Sequence, residues 1–480
     1  MKAGLLATAI AIGMISQSTL SAEFDPEVQF HVPSIGSSVG LLDQQQERAI
    51  GEKVYREVQR HLPTLSDAWL EDQLFTTFSH LLSQTQLGQP IALVVVNDPQ
   101  INAFAVPGGL FALNTGLLNS AKHMDEVAGV MAHEIAHVTQ RHYSRSQEAF
   151  KGQGLLALAG IVVGALVASQ ADADVGNAVM LGTQAALVDR QLSYSRNQER
   201  EADRIGMQFM YRAGYNPQSM ADFFETMHRA TSRLSFLPDF WLTHPLTTER
   251  MSEARLRANQ LPQVKTALYD ENFEIMRLYS LVLSKQANEQ QLKAMTEGRQ
   301  KFAPQLALAA FYLQKGEYSQ AQQSLDQLQN TQRLHNLYTL LQTQVYLGQN
   351  KLQQASQTIA SPALIMPENR ALNYQWVEVL IRQKNFTQAE QILQRFSQQN
   401  ARDVAVWRLR QRLVDADTQS PLRTIQVLRY RAEAEYWSGY EERAIRSLLH
   451  AQRLAQDNAA LGVVIKTRLT EMQKERQNKI

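Results

Sequence analysis

Two histidines four positions apart, with a glutamate beside the first, are the residues of this chain best suited to metal chemistry. Residues 133–137 read His-Glu-Ile-Ala-His, and residues 125–132 before them are acidic first and apolar afterwards, which is typical of a helix that enters a core. Positions i and i+4 share one face of a helix, so His133 and His137 can bind one zinc ion. Glu134 can take a proton from an attacking water molecule and pass it to a leaving amine. The pattern therefore predicts zinc-dependent peptide hydrolysis.

The third metal ligand must come from outside this motif. A longer motif with a third histidine would need glycine at position 140 and histidine at position 143, where this chain has Gln140 and Tyr143. His142 is one position away from that place. We expect it to be solvated or to lie behind a ligand.

A carboxylate is the other common third ligand of zinc. Residues 195–204 form a charged run with helical spacing, in which Glu199 and Asp203 are four positions apart and share a face, while Glu201 points elsewhere. One of the two carboxylates can bind the metal while the other accepts a hydrogen bond from a ligand histidine and fixes its tautomer. Alone, such a run is usually a solvated helix surface, but the histidine motif favours the ligand interpretation.

Four segments in this order resemble the M48 family of zinc metallopeptidases. They are Asn-Ala-Phe-Ala-Val-Pro-Gly-Gly at 102–109, the motif at 133–137, the Ser-Arg-x-x-Glu-x-x-Ala-Asp run at 195–203, and Thr-His-Pro at 243–245 followed by Arg250. The resemblance implies a gluzincin-type metallopeptidase domain that is mainly α with a small β-sheet. It further implies one zinc ion per chain, bound by His133, His137 and Glu199.

The same resemblance implies roles for the residues around the metal. Glu134 is the general base, and Asp203 either orients a ligand histidine or donates a proton. His244 is held in extended backbone by Pro245, which could bring its imidazole to the open zinc position. There it could block that position in a resting enzyme or hydrogen-bond the developing oxyanion in a working one, and a loop histidine that caps local backbone is the third alternative. We favour the blocking role, with Arg250 as the charge stabiliser.

Short β-rich runs before the zinc motif predict a small sheet. The predicted strands are 91–97, 102–106 and 110–114. Substrates of such peptidases commonly lie extended along a sheet edge, where backbone pairing gives affinity with little sequence preference. We take 102–106 as the edge strand and expect Asn102, Ala103 and Phe104 to bind substrate. An internal strand is the alternative.

Composition and the N-terminus restrict the class of protein. The 480 residues have a net charge of +1 and include no cysteine, so neither a nucleic-acid partner nor disulfide or thiolate chemistry is predicted. Residues 1–22 have the pattern of a secretory signal peptide, with Lys2 before an apolar stretch at 5–15. A membrane anchor is the alternative, but this stretch is shorter than the ~20 residues that a span needs. For a bacterial chain we expect a periplasmic protein without an integral membrane span.

Two apolar stretches, 154–168 and 176–187, lie between the zinc motif and the charged run. These stretches could form a mobile flap over the cleft or a surface that touches membrane-protein substrates. The favoured interpretation is a helical hairpin in the core.

The C-terminal part repeats with a period of 34 residues. The recurring positions are Ala321, Ala355 and Ala389, and three residues before them Tyr318, Leu352 and Phe386. This period is typical of tetratricopeptide repeats, in which a small alanine lets paired helices pack closely. We therefore predict an M48-type peptidase domain at 23–265 and an α-helical repeat solenoid at 270–480. Because the repeats carry no metal or acid–base cluster, we expect truncation from about 270 to spare hydrolysis of a generic unfolded substrate but to abolish function in cells.

The order of signal peptide, peptidase and repeats resembles that of periplasmic M48 proteases that act in outer-membrane protein assembly. This implies a metalloendopeptidase with a chaperone-like role, which degrades misfolded or stalled outer-membrane β-barrel proteins and promotes their assembly. It also implies docking to the β-barrel assembly machinery through the repeats. The alternative is a chaperone or adaptor whose zinc site is structural or silenced, against which the intact Glu134 argues.

Overall fold

The chain is mainly helical, with one small sheet, as the sequence predicts. The computed structural model describes residues 44–143, 196–231, 244–265, 267, 269–298 and 301–477. The predicted signal peptide at 1–22 and the apolar stretches at 154–187 lie outside these residues. Within them, no helix has both the length and the apolar composition that crossing a membrane requires.

The described helices of the peptidase part surround the sheet and carry the histidine motif. They are α1 (Gln44–His61), α2 (Ala68–Leu82), α3 (Thr115–Ser120), α4 (Met124–Thr139), α5 (Arg196–Arg212), α6 (Gln218–Thr231) and α7 (Thr248–Gln260). The motif lies on α4, which begins with Asp125 and Glu126 in its first turn and is buried from Glu126 to His137. Residues 196–204 of the charged run form the first half of α5, as predicted.

The described sheet has four strands in the order β1-β2-β4-β3. They are β1 (Thr64–Leu65), β2 (Ala92–Val96), β3 (Ala103–Val106) and β4 (Leu110–Asn114). β2 pairs parallel to β4, and β3 pairs antiparallel to β4 from Ala103 opposite Leu113 to Val106 opposite Leu110. Among the described strands β3 is therefore at an edge, as predicted for 102–106. The sequence did not reveal β1, since two residues are too short for an alternating pattern.

The second part consists of successive helices that pack on their neighbours, as the 34-residue period predicts. The helices are α8 (Glu271–Leu283), α9 (Glu289–Thr296), α10 (Phe302–Gln314), α11 (Tyr318–Asp326), α12 (Asn336–Gly348), α13 (Leu352–Ile365), α14 (Arg370–Arg382), α15 (Phe386–Gln399), α16 (Val404–Ala416), α17 (Arg423–Trp437), α18 (Glu441–Leu454) and α19 (Ala459–Gln477). The recurring positions Tyr318, Leu352 and Phe386 are the first residues of α11, α13 and α15. The recurring alanines are fully buried.

The last repeats share a hydrophobic core with the first helix. Ile50, Val54 and Val58 of α1 belong to the same buried cluster as Tyr436 of α17 and Leu448 of α18. The predicted boundary between 265 and 270 falls between α7 and α8. Truncation there would leave the apolar face of α1 in water, and we therefore expect the shortened chain to be less stable than the full-length protein.

Candidate metal centre

Close packing of α4 against α5 brings the predicted ligands together. A Cβ on Gly206 of α5 would lie 3.1 Å from backbone atoms of 132–133 on α4, so glycine allows the two helices to approach at this point. Ala202, one turn earlier on α5, is fully buried. Since Glu199 and Asp203 lie on the same face of α5 as Gly206, this contact places both carboxylates beside the histidine motif.

Four buried side chains could hold a metal ion between them. One ligand atom from each of His133, His137, Glu199 and His244 lies within 4.8 Å of all the others. Nε2 of His133 and Nε2 of His137 are 2.9 Å apart, and the carboxylate of Glu199 lies 3.5 and 3.4 Å from them. Nδ1 of His244 lies 3.1 Å from Oε1 of Glu199. The structure thus brings the three predicted ligands together with His244.

Asp203 and Arg250 lie behind these ligands. Oδ1 of Asp203 is 2.9 Å from Nδ1 of His133. Nε and Nη2 of Arg250 donate hydrogen bonds to Asp203 at 2.6 and 2.8 Å, and Nη1 is 2.6 Å from Oε2 of Glu199. Burial raises the pKa of Asp203, but Arg250 and His133 together outweigh burial and hold the pKa of this carboxyl below its ordinary value. Asp203 is therefore ionised, which suits a hydrogen-bond acceptor better than a proton donor.

The protonation of the ligands is also set by this cluster. Burial raises the pKa of Glu199, but His244, Arg250 and His137 outweigh burial and hold it well below the ordinary value. Burial lowers the pKa of His137 well below its ordinary value, so this imidazole is neutral. An ionised carboxylate and a neutral imidazole are the forms in which these side chains bind metals.

Glu134 is buried in the same cluster without a full set of partners. Its Oε1 accepts no hydrogen bond among the described residues, and Nε2 of His244 lies 3.4 Å from it. Burial raises the pKa of this carboxyl. With Glu199 and Asp203, Glu134 brings three carboxylates against the single guanidinium of Arg250. Burial lowers the pKa of His133, but Asp203 and Glu199 outweigh burial and raise it to about 9, so a metal at this ring would replace a proton. With neutral imidazoles and ionised carboxylates the cluster would carry two negative charges, which fits a divalent cation that prefers nitrogen and oxygen ligands, such as zinc.

His142 and Glu201 form a contact that the sequence did not reveal. His142 is fully buried, so the solvated alternative is wrong, and it lies behind a predicted ligand, with its Nδ1 2.9 Å from Nδ1 of His137. Glu201 points away from the predicted ligands, as expected, and its Oε2 lies 3.2 Å from Nε2 of His142. The spacing of five from His137 to His142 follows no helical rule, so sequence reasoning had no signal for this contact.

The predicted substrate-binding residues lie next to the metal helix. β3, with Ala103 and Phe104, contacts α4. The side chain of Asn102, directly before the strand, is buried, and its Oδ1 accepts no hydrogen bond among the described residues. Their role in substrate binding stays a prediction.

A His-Glu-x-x-His helix beside a helix that supplies a carboxylate is the arrangement of a zinc metallopeptidase. Comparison with known proteins gives the same class. Residues 68–258 match the model of Peptidase family M48, and residues 346–413 match a tetratricopeptide-repeat model.

Relatives extend this similarity over nearly the whole chain. The beta-barrel assembly-enhancing protease of Yersinia pestis is 30% identical over 458 residues, which cover 94% of this chain and 93% of the relative. That of Escherichia coli K12 is 29% identical over 460 residues, 94% of this chain and 92% of the relative. The mitochondrial metalloendopeptidase OMA1 of Arabidopsis thaliana is 30% identical over 200 residues, 42% of this chain and 38% of the relative. The chain belongs to Peptidase family M48 and is a zinc-dependent metalloendopeptidase.

Proposed function

We propose that this chain is a periplasmic peptidase that degrades misfolded or stalled outer-membrane β-barrel proteins and promotes their assembly. The observation that carries the peptidase activity is the buried cluster of His133, His137 and Glu199 beside the buried carboxylate of Glu134, whose Oε1 accepts no hydrogen bond among the described residues. The substrate class is supported by the relatives that are named as beta-barrel assembly-enhancing proteases and match over almost their full length. The signal-like pattern at 1–22 supports the periplasm.

One zinc ion per chain is held by His133, His137 and Glu199 in this proposal. When bound, zinc lowers the pKa of a water molecule and polarises the scissile carbonyl. Glu134 accepts the proton of the attacking water and returns it to the leaving amine, for which its raised pKa is favourable. Asp203 orients His133 through the contact at Nδ1, and Arg250 stabilises the charge of Asp203 and Glu199.

The extended substrate lies along β3. This strand is at the edge of the described sheet and contacts the metal helix, so a peptide paired with it would pass close to Glu134. Pairing would use the backbone of Asn102, Ala103 and Phe104, which favours unfolded segments over any particular sequence.

In this proposal His244 blocks the open metal position of the resting enzyme. Its Nδ1 is 3.3 Å from Nε2 of His133 and 3.1 Å from Oε1 of Glu199, so it faces the point that the ligands share. We predict that His244→Ala raises the rate of casein hydrolysis, because the position becomes accessible to substrate. His228→Ala on α6 is a matched control with an exposed histidine. A fall in rate with unchanged zinc content would support the oxyanion role instead.

Docking to the outer-membrane assembly machinery is assigned to the repeats, whose superhelical surfaces suit partner binding. The function is tested by expressing Glu134→Gln in cells and identifying the proteins that co-purify with it. We expect unfolded outer-membrane proteins to be enriched over a Glu134→Gln, His137→Ala control, while components of the assembly machinery should co-purify with both variants because the repeats are unchanged. A chaperone or adaptor with a silent site would capture partners too, but the wild-type protein would not digest casein in the presence of zinc, and a chelator would change nothing.

A further inference from the structure

His142 is held between a predicted zinc ligand and a surface carboxylate. Its Nδ1 lies 2.9 Å from Nδ1 of His137, and the two rings are nearly perpendicular with their centroids 4.8 Å apart. Its Nε2 lies 3.2 Å from Oε2 of Glu201, whose side chain is 24% exposed. Nε2 of Gln198 donates to the backbone carbonyl of His142 at 3.2 Å. Each polar atom of the His142 ring therefore faces a specific partner.

The proton positions along this chain of contacts are fixed by metal binding. Nε2 of His137 is the nitrogen that faces the other ligands, 2.9 Å from Nε2 of His133. To bind a metal there, His137 must carry its proton on Nδ1. That proton has His142 Nδ1 as its acceptor, so His142 carries its own proton on Nε2, where Glu201 accepts it. Only this tautomer of His142 satisfies both neighbours.

An unusual backbone turn after α4 brings His142 next to His137. On a continued helix, position i+5 would lie about 140° around the axis from His137. Instead, α4 ends at Thr139, and Arg141 adopts a positive φ of 51°, a left-handed conformation that residues other than glycine rarely adopt. This turn returns His142 beneath His137.

The two predicted histidine ligands are thus supported in parallel ways. Nδ1 of His133 faces a carboxylate directly, at 2.9 Å from Asp203. We propose that His142 is a positioning residue that holds His137 in its metal-binding tautomer and orientation, and that Glu201 in turn fixes His142. This inference rests on the proposed zinc site. Outer hydrogen-bond partners of this kind raise the basicity of a ligand histidine and restrict its ring.

The test compares two substitutions of His142 in the full-length protein. His142→Asn keeps an acceptor oxygen close to the place of Nδ1, whereas His142→Leu fills similar space without an acceptor. The zinc dissociation constant is measured by competition with a chelator of known affinity, together with the melting temperature of the metal-free protein. We expect His142→Leu to weaken zinc binding about 10–100-fold and His142→Asn to restore most of that loss. Glu201→Leu should weaken binding less, because His142 remains.

The metal-free melting temperature separates positioning from packing. His228→Leu, an exposed histidine on α6, is the matched control and should leave zinc affinity unchanged. Unchanged affinity in His142→Leu would overturn the inference. Equal losses in both His142 variants, together with equally lowered metal-free melting temperatures, would also overturn it and leave a packing role. A wild-type chain that binds no zinc would overturn the proposed zinc site as well.

Discussion

Two arginines each lie among carboxylates, a buried one in the metal centre and a partly buried one between the peptidase part and the repeats. Arg250 is the first. Arg370, at the start of α14, contacts Glu71 and Asp72 of α2 at 2.5 and 3.1 Å and Asp403, directly before α16, at 2.9 Å. The side chain of Arg250 is 4% exposed and that of Arg370 is 19% exposed, so these partners balance most of each charge and water reaches only Arg370 to an appreciable extent.

The pKa values of Glu199 and Asp203, beside Arg250, are nevertheless shifted in the opposite direction from those of Glu71 and Asp72, beside Arg370. In the metal centre, Arg250 and the histidines outweigh burial, and the pKa of Glu199 falls well below its ordinary value. Around Arg370, burial outweighs the single guanidinium and raises the pKa of Glu71 to about 7 and that of Asp72 in the same direction. The same types of residue therefore prepare one site for a cation and the other for a proton, and the ratio of acids to bases decides which.

The largest expected difference between the two clusters is their effect on the rate of peptide hydrolysis. Glu134→Gln should lower casein hydrolysis by about 10²–10⁴-fold, because glutamine cannot accept the proton of the attacking water. Its zinc content should be unchanged, since His133 and His137 are untouched. Glu71→Gln is the corresponding change in the other cluster and should hydrolyse casein at the wild-type rate. Normal proteolysis by Glu134→Gln would refute the proposed mechanism.

The next difference concerns the metal and lies within α5. Glu199→Gln should weaken zinc binding by at least about 100-fold, because it removes the charge of a ligand. Glu201→Gln should change it far less, since glutamine can still accept a hydrogen bond from His142. Metal analysis of the two purified variants distinguishes them. If Glu201→Gln is the variant that loses zinc, the ligand assignment is wrong.

The Arg370 cluster should matter for stability instead. Arg370→Met leaves Glu71, Asp72 and Asp403 without a cation, and we expect a loss of about 3 kcal/mol in the free energy of unfolding. Zinc affinity should stay at the wild-type level. Arg408→Met, an exposed arginine on α16, is the control. Equal melting temperatures for the two variants would show that this cluster contributes no net stability.

The smallest expected effect is the pH dependence of the stability that Glu71 contributes in the Arg370 cluster. The pKa of Glu71 is about 7 in the folded chain against an ordinary 4.5, so the folded chain binds this proton more tightly than the unfolded chain. Its contribution to stability is full below about pH 4.5 and is lost as the pH rises through about 7. On going from about pH 8 to about pH 5.5, the wild type should therefore gain more stability than Glu71→Gln. Parallel pH profiles of the melting temperature would contradict the raised pKa.

Most of the metal centre could be predicted because its geometry is local. The spacing of four in a helix fixes the relation of His133 to His137 and of Glu199 to Asp203, and the resemblance to a family joins the two helices. The repeat helices followed from the period of 34 residues, whereas the edge position of β3 was expected from the way in which peptidases of this type bind substrate.

What the sequence did not reveal depends on contacts between distant residues or on unusual backbone. Glu71 and Asp72 lie 299 and 298 positions from Arg370, and no pattern links them. His142 reaches its place through the positive φ of Arg141, an arginine with no sequence signal for a turn. The core that α1 shares with the last repeats also joins distant parts of the chain, and the repeat pattern alone does not indicate it.

The contact of Gly439 with α1 changes how the repeats should unfold. A Cβ at Gly439 would lie 2.2 Å from the carbonyl oxygen of Arg56, so only glycine allows this approach. The Arg56 side chain lies over the ring of Tyr436 and donates a hydrogen bond to Glu441. A free solenoid behaves as a linear array in which each unit depends only on its neighbours and can fray from its end. Here the terminal units are anchored to the opposite end of the polypeptide. Unfolding of the last helices must expose the apolar face of α1, so local unfolding from this end becomes unfavourable. The repeats should therefore unfold together with the peptidase part in a single cooperative step.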